Sequence, residues 1–140
     1  MNINTRFTVA LHILTLLACL PGQPQTSEFI ASSVNTNPVV IRRLLGMLRK
    51  LGIVTSQPGN GGGWLLAADP AQLDLRTVRR AVDAGSPFAL HAQTPNILCP
   101  VGRNIQDALH VLYHEAEQAM DAQLARTTIA SLLESVRQRP

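Results

Sequence analysis

The stretch TSEFIASSVNTNPVVIRRLLGMLRKLGIVTSQPGNGGGWLL, Thr26 to Leu66, decides the fold, because it spells two short helices and a glycine-tipped hairpin in that order. Thr26 or Ser27 caps a first helix reaching Val34, with Glu28 in its positively polarised first turn and Phe29, Ile30 and Val34 as apolar anchors. Asn35-Thr36-Asn37 then makes a tight polar turn. Asn37 suits an N-cap and Pro38 the first helical position, where its missing N–H costs nothing. The helix from Pro38 to Leu51 puts Ile41, Leu44, Leu45, Leu48 and Leu51 on one face and Arg42, Arg43, Gly46, Arg49 and Lys50 on the other. A glycine inside a helix costs about 1 kcal/mol relative to alanine. Gly46, set among the cations, would let another backbone come close. Gly52 stops the helix, Ile53 to Gln57 is β-prone, Pro58 to Gly63 must turn, and Trp64 to Leu66 returns as a second strand.

Charge gives this stretch its function. Between Phe29 and Ala68 there is no Asp or Glu, so the cations of the second helix lack the mixed signs of an ordinary solvated face. Residues 1–68 carry five Arg/Lys against Glu28 alone, a net +4, whereas residues 69–140 carry seven Arg against eight acids, a net −1. Two helices joined by a short polar turn, the second one basic, have the spacing of a helix-turn-helix, and the hairpin behind them is a wing. The glycine run is no phosphate-binding loop, since neither Lys-Ser/Thr nor a helix follows it. Trp64 is expected to anchor the wing to the body.

Working outward, 140 residues at 46% hydrophobic content suit one compact domain, or a small domain plus an arm that needs a partner. Cys19 and Cys99 make no disulfide framework, which fits a cytoplasmic protein. The apolar run Val9 to Leu20 resembles a lipoprotein signal in ending at Leu16-Leu17-Ala18-Cys19, yet it is too short to span a bilayer and only Arg6 precedes it. Phe7, Ala10, Leu11, Leu14, Leu17 and Ala18 instead mark an amphipathic helix, and Val9, Ile13, Leu16 and Leu20 give it a second apolar face. Buried on two sides, this helix is expected to meet another subunit on one of them and to place Cys19 in the core.

Beyond the wing, Asp74 caps a helix to Ala84 with Leu75, Val78, Ala81 and Val82 inward and Arg76, Arg79 and Arg80 outward. Residues 86–100, with Pro87, His91, Pro95 and Cys99, read as an irregular connecting and sensor loop. From Gly102 to about Leu124 the stripe Ile105, Ala108, Leu109, Leu112, Ala116, Ala119, Met120 and Leu124 predicts a long helix with an apolar seam too large for a small monomer to cover, hence a dimerisation helix. Thr128 to Val136 folds a short helix back through Ile129, Leu132 and Leu133, and Arg137 to Pro140 is expected to fray. The expected class is mostly α with a small β-wing: a winged helix-turn-helix over residues 1–85, the loop over 86–100, and a dimerisation helix plus a short helix over 101–140.

Two other readings use the same residues. Asp107, His110, His114, Glu117 and Asp121 share a helix face and could hold a divalent metal in a small enzyme, although no H-E-x-x-H is present. A winged fold can also serve as a protein–protein adaptor without DNA. Neither accounts for the acid-free basic stretch, so no enzyme activity and no bound metal are expected.

With these motifs assembled, the chain resembles the bacterial Rrf-two family of winged-helix transcription regulators, which includes the iron–sulfur cluster regulator, the nitric-oxide-sensitive repressor and the cysteine-metabolism repressor. The likeness covers nearly the whole chain and is sharpest in LRKLGIVTSQPGNGGGWLLA (residues 48–67), with DLRTVRRAVDAG (74–85) and CPVGRNIQDAL (99–109) as further matches. It implies a homodimeric repressor, each long helix packed across the partner's first helix, with two recognition helices on a pseudo-palindromic double-stranded DNA site. Carried over by position, it assigns base reading to Thr36, Asn37, Val39, Arg42 and Arg43. Arg49, Lys50 and the wing-tip residues Asn60 and Gly61 are expected to contact the DNA beside them. Pro58 stands where several members place a minor-groove arginine, which shifts the burden to Arg42 and Arg43. Cluster-binding members have three cysteines in the region where this chain has only Cys99. Two thiols per dimer, with His91 as a weaker addition, fall short of an all-cysteine set, so no iron–sulfur cofactor is expected and the chain resembles the cluster-less branch. Cys99, just ahead of the long helix, is the candidate redox-sensitive thiol.

Overall fold

A computed structural model describes residues 3–140. Six helices and one hairpin follow in the order α1 (Ile3–Cys19), α2 (Ser27–Val34), α3 (Pro38–Lys50), β1 (Val54–Gln57), β2 (Gly63–Leu66), α4 (Leu75–Ala81), α5 (Pro100–Leu124) and α6 (Ile129–Arg137). The chain is mostly α with a small β-wing, a winged helix-turn-helix with a long C-terminal helix.

Because α1 is apolar on more than one side, it serves as the axle of the core. Ala10, Ile13, Leu14 and Leu17 are buried, and α2, α4, β2 and α6 all pack around the helix. From α2 come Ile30 and Ala31, and from α3 the full row Ile41, Leu44, Leu45 and Leu48. Removing any one of these large side chains costs on the order of 2–5 kcal/mol, because a close-packed interior collapses only partly around the gap.

Side chains close the ends of the short helices. Thr26 accepts a hydrogen bond from the Phe29 amide at 3.1 Å and so starts α2, which ends on Asn35 in the left-handed region at φ 64°. At α4, Asp74 accepts from the Thr77 amide at 2.8 Å. These caps supply partners for amides that a helix leaves unpaired in its first turn. Thr26 as cap turns Ile30 and Ala31 inward and leaves Phe29, expected as an anchor, half exposed. Leu51 likewise departs from its expected place on the apolar face: it is the C-cap of α3, outside the helical register, and lies exposed.

In the wing, β1 and β2 pair antiparallel from Val54 opposite Leu66 to Gln57 opposite Gly63. Two glycines are required there by close approach. A Cβ on Gly62 would lie 2.1 Å from the Gln57 carbonyl oxygen, and one on Gly63, at φ 147°, would lie 2.5 Å from the Gln25 carbonyl oxygen. Gln25 and Trp64 exchange both backbone hydrogen bonds, at 3.0 and 2.8 Å, and the Trp64 ring packs against the core. The tryptophan therefore ties the wing to the body.

The C-terminal helix returns to the same core. The Ile129 amide donates to the Leu73 carbonyl and the Leu75 amide to the Thr127 carbonyl, both at 2.9 Å, so a short bridge seats α6 against α1 with Ile129 fully buried. Helix α6 runs to Arg137, and Arg139 donates to the Ser135 carbonyl at 2.6 Å, so this end is more tied down than the sequence suggests. Between α1 and α6 runs an open apolar groove lined by Leu11, Thr15, Leu16, Cys19, Leu132 and Val136. Cys19, expected in the core, is exposed on it, because the last turn of α1 runs past the buried row.

Helix α5 behaves differently from every other helix. None of its 25 residues is buried, and within its apolar stripe Leu112 is 55% exposed. Its tie to the body runs through α4. Arg79, expected to face solvent, is only 15% exposed; it donates to Asp121 of α5 at 3.3 Å and to the Gly85 carbonyl at 2.5 Å. Arg76 has a buried Nε, so of the three α4 arginines only Arg80 lies on the open surface.

Candidate nucleic-acid interface

The recognition surface follows from how α3 is held. Its apolar row is sealed into the core by α1, α2 and α4, which forces the opposite face outward. On that face Arg42, Arg43, Arg49 and Lys50 are all exposed, and a Cβ added at Gly46 would meet nothing within 4 Å. Another backbone can reach the helix there.

Asn37 serves as a helix cap. Its Oδ1 accepts a hydrogen bond from the Val39 amide at 2.8 Å, so the side chain caps α3. Thr36 is half-buried in the turn, and Val39 projects an exposed apolar side chain from the first turn of the helix. Val39, Arg42 and Arg43 thus lie exposed in the first turns of α3, just after Thr36 and Asn37, with Arg49 and Lys50 at its far end. Asn60 and Gly61 are exposed at the wing tip.

Two cations are not isolated. The Arg42 guanidinium donates to Glu28 of α2, so the sole acid of residues 1–68 sits against an expected base reader. The Arg49 guanidinium stands 5.5 Å from the centroid of the Trp64 ring, a cation–π contact that joins α3 to the wing. Both contacts orient long side chains that would otherwise sample many rotamers. The sequence signals were present in the uniqueness of Glu28 and in a tryptophan just past the glycine run, but the distance between partners was not legible without the fold.

The loop 86–100 is irregular and almost entirely exposed. Phe88 stacks on Tyr113 of α5 at 4.9 Å with an interplanar angle of 14°, and Ser86 hydrogen-bonds to Glu117, so the loop's first residues lie along α5. Cys99 is exposed at the N-cap of α5 and makes no side-chain capping bond. Two of the three carboxylates on the helix face weighed for a metal are engaged elsewhere, Glu117 with Ser86 and Asp121 with Arg79 and Arg80. Among the described residues no group of three or more His, Cys, Asp or Glu stands close enough to hold a metal ion.

The sequence profile of Rrf2, described as an iron-dependent transcriptional regulator, matches residues 3–135. The chain belongs to the Rrf2 family. YwnA of Bacillus subtilis (strain 168), named as an HTH-type transcriptional regulator, is 42% identical over 132 residues, covering 94% of this chain and 96% of that one. A crystal structure described as that of a DNA binding protein superposes with a TM-score of 0.71 at 39% identity, covering 91% of this chain and 98% of its own. CymR, the global cysteine regulator of B. subtilis, superposes with a TM-score of 0.70 over 94% of this chain and 95% of its own; at 22% identity this likeness concerns the fold. This Rrf2 protein is a DNA-binding transcription regulator, and its family is one of regulators rather than enzymes. Among the described residues, no helix is long and apolar enough to cross a membrane.

Proposed function

We propose that this Rrf2 protein acts as a cytoplasmic homodimeric repressor that lays α3 of each protomer into a major groove of a two-fold symmetric operator. The observation that carries the reading is the division of α3 into a row sealed in the core and an exposed opposite face whose charged side chains are all cations. Arg42 and Arg43 are the candidates for bidentate reading of guanine edges, with Thr36 and Val39 beside them. Arg49, Lys50, Asn60 and Gly61 are placed to hold the phosphate backbone and set the register. Asn37 contributes as a cap.

Dimerisation rests on α5, whose apolar stripe is nowhere buried within its own chain while the groove between α1 and α6 lies open. A second copy supplies a matching surface for each, in the self-complementary manner of a two-fold interface. Two recognition helices then meet half-sites about one helical turn apart, roughly 34–36 Å along the duplex. Occupying promoter DNA in this way blocks transcription.

The family description names iron, yet the donors in this chain do not fit an iron–sulfur cluster. Cys99 is the single cysteine near α5, Cys19 lies on the α1–α6 groove, and His91 is the lone imidazole of the loop. The proposed signal input is instead the exposed Cys99 thiol, at the junction of the loop and the dimerisation helix. Footprinting combined with sedimentation of the complex tests the proposal. Protection of a symmetric site by two chains per duplex supports it; one chain per site, or binding with no sequence preference, overturns it.

A further inference from the structure

Glu28 stands out because it is the sole acid in the first 68 residues and it lies on the surface that the reading above assigns to DNA. In a helix-turn-helix the first helix crosses the sugar–phosphate backbone while the second enters the groove. A carboxylate in the first turn of α2 therefore opposes phosphate binding, and nothing in the core requires it, since its side chain is 64% exposed. Its partner is Arg42, itself 51% exposed, whose NH2 group donates to Oε1 of Glu28 across the α2–α3 junction. An exposed pair of this kind contributes little to stability, so its value lies in what it does to the arginine.

A guanidinium carries five N–H donors in a planar fork. With part of it committed to Glu28, its plane is fixed and the remaining donors stay available for a guanine edge. Its charge is already balanced, which removes it as a phosphate counter-ion. Arg43, the neighbouring cation on the same helix, forms no such pair with Glu28, so the two arginines are not equivalent.

We propose that Glu28 is a specificity-determining residue: it holds Arg42 for base reading and withholds it from indiscriminate phosphate contact. The inference rests on the DNA-binding reading above and goes beyond it by assigning a role to an acid on the DNA face. Losing one balanced charge frees one cation for the backbone. A freed cation–phosphate contact steepens the dependence of log affinity on log salt by about 0.9 and, at 0.1 M salt, tightens non-specific binding about eightfold.

The test compares wild type, Glu28→Gln, Arg42→Ala and the double variant on two duplexes, the site recovered by selection and a scrambled duplex of equal length, across a salt series. Glu28→Gln keeps the shape and an acceptor oxygen while removing the charge. The expected result is an approximately eightfold gain on scrambled DNA, a steeper salt slope, and a fall of similar size in the ratio of site to scrambled affinity. In the Arg42→Ala background the Glu28 change should relieve carboxylate–phosphate repulsion equally on both duplexes and so leave the ratio of site to scrambled affinity unaltered. An unchanged salt slope and ratio in a variant that keeps the wild-type melting temperature overturns the inference, and so does a fall of equal size in that ratio with Arg42 already removed. If wild type itself shows no preference for any site, the DNA-reading proposal fails first, which separates the two outcomes.

Discussion

Replacing Leu112 by alanine should weaken dimerisation while leaving the fold of each chain intact. Leu112 lies in the apolar stripe of α5, is 55% exposed, and takes no part in the core, so the single chain loses almost nothing. Full burial of a leucine side chain is favourable by about 1.5–3 kcal/mol, so covering the exposed half of Leu112 recovers roughly 1–1.5 kcal/mol. A two-fold interface contains the residue twice, which raises the total to about 2–3 kcal/mol. Alanine keeps the Cβ, which points to the lower end, a loss of roughly 30-fold in the dimer dissociation constant at 1.4 kcal/mol per tenfold. Sedimentation equilibrium over a dilution series measures this constant, with far-UV circular dichroism to check that helix content is unchanged. An unaltered dissociation constant would refute the claim that this stripe is the subunit contact. A wild-type chain that stays monomeric at every concentration would refute it as well.

Three further outcomes follow from the same geometry. Arg43→Ala should cost about 1–3 kcal/mol of operator affinity and relax the preference at one base position if the arginine reads guanine; uniform weakening on all duplexes with a shallower salt slope would make it a phosphate contact. Gly62→Ala must displace the wing turn, because its Cβ would lie 2.1 Å from the Gln57 carbonyl oxygen; DNA affinity should drop while the buried α1–α3 core, probed by hydrogen exchange, stays protected. Alkylation of Cys99 should proceed faster than that of a free model thiol and should change DNA affinity; a rate no faster than the model compound's removes the redox-sensor reading.

Much of this molecule is legible in its order of residues, and the reasons are local. Asn37-Pro38 announces the start of α3, the spacing of Ile41, Leu44, Leu45 and Leu48 fixes its buried face, and the run from Pro58 to Gly63 leaves a hairpin little alternative. Each of these signals acts within a few residues. What escaped the sequence depends on contacts between distant segments. Arg79 reads as one more outward cation, but a partner 42 residues away on α5 draws it inward. Cys19 reads as core from its leucine-rich surroundings, yet whether the end of α1 is covered depends on where α6 lies. The pairing of Glu28 with Arg42 spans a turn whose geometry only the folded chain defines.

The most direct test of the central claim is selection of binding sites from a pool of random duplexes, run with the reduced and the oxidised protein side by side. A winged-helix dimer that reads DNA through α3 should enrich one two-fold symmetric sequence, with half-sites about one helical turn apart and with affinity falling steeply as salt rises. Recovery of no enriched sequence in either redox state, or of a single asymmetric half-site bound by one chain, would contradict it.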